Sequence, residues 1–167
     1  MLPELHSHGY LELFIGPMFS GKTSKLLELY KKYKLCNIKT TIINYIEDTR
    51  YDERLVSTHD LNKAPCLQLK NLSELNFHNN EFITTEVFLI NEGQFFTDLV
   101  EWVKQAIQVY NKVIFICGLD GDFKRNKFGN LLDLIPFCDN VTKLTAYCMK
   151  CKNCLLYTSP SPRDFEA

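Results

Sequence analysis

The chain has 167 residues, the size of one ordinary domain with a sizeable core, and a formal net charge of −1. That balance of charge gives no general basis for a nucleic-acid or membrane surface. No apolar stretch approaches the roughly 20 residues that span a bilayer, and Met1 to Gly9, with two histidines and no apolar run, does not read as a secretory signal.

Tyr10 to Ile15 is an apolar-leaning run that stops at a glycine, as a buried strand does. Gly16-Pro17-Met18-Phe19-Ser20-Gly21-Lys22-Thr23 follows, and it satisfies the phosphate-loop pattern G-x-x-x-x-G-K-[ST] at every fixed position. Leu26, Tyr30 and Tyr33 then recur at helical spacing, so the loop opens a helix. In that setting backbone N–H groups wrap phosphates and the helix N-terminus favours negative charge. The Lys22 ammonium reaches the β- and γ-phosphates, and the Thr23 hydroxyl ligates Mg²⁺. Binding of a nucleoside triphosphate is the expectation.

Further along, Thr40 to Asn44 reads as a second strand, and Tyr45 to Asp60 as a polar, aperiodic loop over a site, carrying Asp48 and Arg50. Cys66 to Leu69 is a short strand. Val87 to Ile90 is a continuous apolar run, the pattern of a strand covered on both faces. It ends in Asn91-Glu92-Gly93-Gln94-Phe95-Phe96. A helix is expected next, with Thr97 as N-cap, Asp98 and Glu101 in its first turn, and Phe96, Val100, Val103 and Ile107 as its buried stripe. Val113 to Cys117 is another apolar strand. Asp120 to Gly129 is a polar loop with two phenylalanines, followed by a short helical stretch stopped near Pro136. Val141 to Thr145 forms a last strand before the crowded Cys148, Cys151 and Cys154.

Strands alternating with helices predict an α/β fold, a mainly parallel sheet flanked by helices and built like the phosphate-loop (P-loop) nucleotide hydrolases. Ligands on such sheets bind beyond the carboxyl ends of the strands. The phosphate loop, the Asn91-Glu92 turn and the loop from Gly118 to Gly129 all leave that edge. A carboxylate at the end of an apolar strand beside a phosphate loop helps hold magnesium, or accepts the proton of an attacking hydroxyl. Glu92 stands there, though a residue that merely begins a turn fits the same position. Asn91 offers an amide oxygen but no charge. Phe95, Phe123 and Phe128 can form an apolar slot for a flat base, or can be ordinary core. Lys124, Arg125 and Lys127 suit either a phosphate or a solvated face. Cys148 and Cys151 have zinc-knuckle spacing, and crowding of thiols in a cytoplasmic chain favours a metal over disulfides.

GPMFSGKT, EDTRY, EGQFF, LDGDFKRNKFG and KLTAYCMKC, in order and spacing from about Leu11 to Cys151, together resemble the thymidine kinases of the cellular and poxvirus type (type II). The resemblance implies transfer of the γ-phosphate of ATP, with Mg²⁺, to the 5′-hydroxyl of thymidine, by a cytoplasmic homotetramer without nucleic-acid or membrane partners. By position it implies that Gly16 to Thr23, Asp48, Thr49, Arg50, Asn91 and Gln94 serve ATP. It makes Glu92 the proton acceptor, Phe123 the base-contacting aromatic, and Met18, Phe95, Leu119 and Phe128 the pocket lining. Cys148 and Cys151 match the first pair of ligands of a structural Zn²⁺.

Two departures from the family are visible. Asn91-Glu92 stands where the family has Asp-Glu, which weakens or alters a magnesium site. After Cys151 the chain also leaves the pattern, so that the family's base-closing lasso and second pair of zinc ligands are expected to be missing. The expected organisation is a kinase domain over 1–146, an incomplete zinc and lasso remnant over 147–154, and a disordered or foreign tail over 155–167. ATP binding with weak thymidine phosphorylation is the expected behaviour. The alternatives are a kinase for another deoxynucleoside, a phosphate-loop ATPase, and an inactive ATP-binding oligomeric fragment.

Overall fold

The computed structural model describes residues 8–46, 64, 66–147 and 152, with 154 and 155 as backbone. Six strands form one parallel sheet: β1 Tyr10–Ile15, β2 Thr40–Tyr45, β3 Cys66–Leu69, β4 Val87–Ile90, β5 Val113–Gly118 and β6 Asn140–Lys143, in the order β3-β2-β4-β5-β1-β6. The central strands β4 and β5 are buried along their whole length. Helices cover both faces there, which is why these segments are apolar without alternation.

Side chains alternate along the strands and divide the core in two. On one face α3, Leu99–Gln108, buries Leu99, Trp102, Val103 and Ala106 against Leu11, Leu13, Phe88, Ile90, Ile114 and Ile116. On the other, α1, Lys22–Leu35, lays Leu26 and Tyr33 on Phe14, Ile42, Leu89, Phe115 and Cys117. The phosphate-loop helix is thereby fixed to the strands whose ends carry the remaining site residues.

The buried stripe of α3 differs from the sequence expectation. Phe96 and Val103 are buried, but Val100 and Ile107 are only half-buried, and Leu99, Trp102 and Ala106 take the core. The helix begins at Leu99 with Asp98, not Thr97, at its N-cap. Asp98 turns its carboxylate to a neighbour, accepting from the backbone N–H of Leu72 at 3.1 Å and of Ser73 at 2.8 Å. It caps a 3-10 turn at Leu72–Glu74 that the aperiodic sequence does not signal. Nor does the sequence signal a five-residue helix, α2 (Asn80–Thr84), which Asn79 caps by accepting from Glu81 N at 2.8 Å. The stretch before Pro136 is a 3-10 helix, Leu131–Phe137, that runs through the proline. Short antiparallel strands β7, Ala146–Tyr147, and β8, Cys154–Leu155, pair beyond the main sheet.

At the amino ends of the strands, α2 is stapled to the sheet through Glu81. Its carboxylate accepts from Thr41 Oγ1 at 2.9 Å and from Lys39 Nζ at 3.1 Å, and the Thr41 and Thr85 hydroxyls meet at 2.7 Å. The Thr41 bond first, then that from Lys39, holds the Glu81 carboxyl below its ordinary 4.5. A lowered folded-state value stabilises the fold above the unfolded value and loses that contribution as pH falls through the folded one. Acid titration below about pH 4.5 should therefore lower the melting temperature, and Thr41→Val should blunt that dependence while costing about 1 kcal/mol at neutral pH. Solvent screening keeps the acid effect small, because the Glu81 side chain is 38% exposed. Thermal melts of both chains across pH check this.

Candidate active site

Ile15 of β1 pairs with Gly118 of β5, and Ile90 of β4 pairs with Ile116. Because β5 lies between β1 and β4, Gly16, Asn91 and Leu119 leave the sheet side by side at one edge. The parallel register, rather than any sequence proximity, brings the three predicted segments together.

The phosphate loop folds tightly against the strand beyond it. A Cβ on Gly16 would sit 2.5 Å from the carbonyl oxygen of Leu144, so only glycine fits where the chain passes β6. Phe19 takes a left-handed backbone with φ 61 and is 87% exposed at the loop's tip. Gly21 is the N-cap of α1; among the described residues no side chain caps the helix, and its first turn contains no acidic residue. Its leading N–H groups are thus available to an anion in the field of the helix dipole. Lys22 folds back over the loop, donating to the Pro17 carbonyl and, at 3.2 Å, to Ser20 Oγ. Ser20 itself donates to the Pro17 carbonyl at 2.8 Å. Burial lowers the pKa of the Lys22 ammonium, against the opposing pull of Glu92, Cys117 and Asp120. Beneath it, the Cys117 thiol donates to the Lys22 carbonyl at 3.0 Å; its burial pushes that thiol's pKa up, so it stays neutral. Thr23, half-buried, follows in the first turn.

At the end of β4, Asn91 is only 3% exposed, and its N–H continues the sheet by donating to Ile43 O at 2.9 Å. Glu92 is exposed and has a left-handed backbone, φ 56 and ψ 43. That conformation is uncommon for any residue but glycine, asparagine or aspartate, and typical of strain held at functional turns. Its Oε2 accepts from Gln94 Nε2 at 2.7 Å. Gln94 is buried, and its Oε1 accepts from the backbone N–H of Leu119 at 3.1 Å. One side chain therefore ties the ends of β4 and β5 together.

The loop after β5 is shaped by Asp122, whose Oδ1 accepts from the N–H groups of Lys124 at 2.8 Å and Asn126 at 2.9 Å. Asp120 pairs with Lys143 at 2.9 Å, tying this loop to the end of β6. Phe95 and Phe128 meet edge to face, with centroids 5.6 Å apart. Tyr45, at the end of β2, joins them with its ring 5.2 Å from Phe95 and 5.4 Å from Phe96. The sequence places Tyr45 only at the start of a polar loop; an aromatic ring at a strand terminus is the signal that could have found it. Phe123 is half-buried and lies under Lys124 Nζ, 5.6 Å from the ring centroid, rather than in that aromatic group. Met18 and Leu119 are half-buried. Lys127 pairs with Asp133 at 2.9 Å, which favours the solvated-face reading for that residue.

Asp48, Thr49, Arg50, Cys148 and Cys151 lie outside the described residues. Among the described residues no group of three or more His, Cys, Asp or Glu is arranged to hold a metal ion. No helix among them is long and apolar enough to cross a membrane.

The family signature described as thymidine kinase matches residues 9–160. The thymidine kinase of Yaba monkey tumor virus (strain VR587) is 41% identical over 143 residues, covering 86% of this chain and 76% of that protein. The thymidine kinase of variola virus (isolate Human/India/Ind3/1967) is also 41% identical over 143 residues, covering 86% of this chain and 78% of its own length. In three dimensions the chain is similar to the flagellar accessory protein FlaH of Methanocaldococcus jannaschii, with a TM-score of 0.55 at 13% identity over 91% of this chain and 80% of that one. At that identity the likeness bears on fold alone.

Proposed function

The chain belongs to the thymidine kinase family, and from that premise we propose that it transfers the γ-phosphate of magnesium-bound ATP to the 5′-hydroxyl of thymidine. In the proposed step the 5′-oxygen attacks the γ-phosphorus and the bond from that phosphorus to the β,γ-bridging oxygen breaks. ADP departs, and the hydroxyl proton passes to Glu92. Such transfer asks for positioning and charge stabilisation more than covalent help. The loop from Met18 to Gly21 with the N-terminus of α1 supplies N–H donors, Lys22 supplies a positive charge, and the Thr23 hydroxyl is proposed to ligate the magnesium that arrives with ATP. Tyr45, Phe95 and Phe128 supply an apolar wall for the thymine, with Phe123, Met18 and Leu119 around it. Asp48, Thr49 and Arg50 are proposed beside the phosphates, and Cys148 and Cys151 as two thiolates of a zinc site. A cytoplasmic homotetramer is proposed on the family resemblance.

The observation that carries this reading is the Glu92 carboxylate, fixed by Gln94 on the edge from which the phosphate loop also departs. A second reading, a nucleotide-binding chain with little catalysis, draws support from Asn91. Its neutral, buried amide gives a cation less attraction than the carboxylate the family places there.

Transfer of labelled γ-phosphate should be measured with thymidine, three other deoxynucleosides and no nucleoside. Thymidine should be preferred by about tenfold or more, since a single methyl in an apolar slot is worth about 1–3 kcal/mol. Equal phosphate release with and without nucleoside would mean an ATPase. ATP binding without transfer to any acceptor would favour the second reading.

A further inference from the structure

Gln94 matches, by family position, a segment serving ATP, yet both polar ends of its buried amide are engaged within the chain. Its carbonyl oxygen accepts from Leu119 N, a backbone group that can only donate, so the amide cannot be flipped without losing that bond. The NH₂ group must then face Glu92, which it meets at 2.7 Å. Among the described residues only one carboxylate oxygen is taken, and in the kinase reading Oε1 is the one that meets the acceptor.

The surroundings enforce this placement. A Cβ on Gly118 would lie 2.5 Å from Gln94 Oε1, and one on Gly129 would lie 2.1 Å from the Gln94 carbonyl oxygen. Gly129 also has φ +62, where side chains are strained. Two glycines on separate segments thus clear the space that this side chain and its backbone occupy. Glu92, by contrast, is exposed and in a strained turn, with freedom to rotate away unless something holds it.

We propose that Gln94 is a positioning residue that acts through Glu92: it holds one carboxylate oxygen so that the other faces the acceptor hydroxyl, and it does not contact ATP. This deepens the kinase reading and rests on it for its kinetic consequence.

The parent chain, Gln94→Leu, Glu92→Gln and the double variant should be compared in phosphate transfer to thymidine. Gln94→Leu should lower kcat about 10- to 100-fold, the scale of a misaligned reacting group, with KM and Kd for ATP within about twofold. The double variant should be no slower than Glu92→Gln alone, because both changes remove one function. Gln94→Glu should be slow near pH 8, where two carboxylates face each other. It should recover relative to the parent as pH falls toward about 5.5, because the introduced carboxyl, once protonated, donates to Glu92 while still accepting from Leu119. A rise in the Kd for ATP with kcat kept, or additive losses in the double variant, would overturn the proposal. So would a Gln94→Glu variant with the parent's pH profile. The bond itself is read without turnover: in ¹⁵N-resolved spectra of the full chain the Gln94 side-chain NH₂ signals should move in Glu92→Ala, and unmoved signals would refute the contact. That measurement separates the two ideas. A parent that transfers nothing to thymidine sinks the kinase reading, while the spectra still judge the bond. Should Gln94→Leu fail to fold, Gln94→Glu and the spectra carry the test.

Discussion

Replacing Glu92 by glutamine is expected to lower kcat for thymidine phosphorylation by about 10²- to 10⁴-fold, the range for loss of a general base. The substitution is close to a pure chemical change. Glutamine keeps the length and shape of the side chain, and its amide oxygen can still accept from Gln94 Nε2, so the tether at 2.7 Å survives. What disappears is the capacity to take up the proton of the attacking hydroxyl. Because Glu92 is exposed, the loss of its charge should leave stability nearly unchanged. Binding of ATP, which depends on the phosphate loop, should change by no more than about twofold. Single-turnover transfer and calorimetric ATP titration on the same preparations decide it. A loss smaller than about tenfold would assign the proton to another acceptor or to solvent.

Lys22→Met should be nearly as damaging but distributed differently. Methionine keeps the approximate length of the side chain and its packing, yet removes the only formal charge in the phosphate loop. It also removes the donations to the Pro17 carbonyl and to Ser20 Oγ. Lys22 is buried enough that its ammonium is disfavoured, and the nearby Glu92 and Asp120 carboxylates help it stay charged. Taking that cation away leaves two carboxylates near a site meant for a polyphosphate. Affinity for ATP should therefore fall together with kcat, the latter by about 10²- to 10³-fold, as when one preorganised stabiliser of developing charge is lost. Titration of ATP alone distinguishes the two variants: Glu92→Gln should bind normally and Lys22→Met should not. Unchanged ATP affinity in Lys22→Met would remove the lysine from the phosphate site.

Much of this edge is legible in the sequence because its signals are local. The phosphate loop is eight contiguous residues, β4 and β5 are unbroken apolar runs and β1 an apolar-leaning one, and their ends fall within a residue or so of the expected limits. The Asn91-Glu92 turn can be assigned to the site because the parallel topology puts such turns at one edge. The rest depends on neighbours that no window contains. Asp98 reads as first-turn charge for α3, and instead its carboxylate serves Leu72 and Ser73 some 25 residues earlier in the chain. The helix accordingly starts later than expected and turns Trp102, rather than Val100, to the core. Tyr45 joins Phe95 only because β2 lies beside β4. Gln94 gives no sign that its amide spans two strand ends, since hydrogen-bond direction is written in the fold, not in residue order. Asn91 is legible as a chemical departure, whereas its burial is not.

The left-handed backbone at Glu92 has a consequence for laboratory evolution. Glycine, and to a lesser degree asparagine, is the residue most at ease at φ 56. Glutamate there forgoes about 1 kcal/mol or more of conformational free energy. A library of this chain screened only for heat resistance should enrich Glu92→Gly and Glu92→Asn, and every such winner would have surrendered the proposed proton acceptor. Any stabilisation campaign on this scaffold must therefore hold position 92 fixed or select for turnover at the same time.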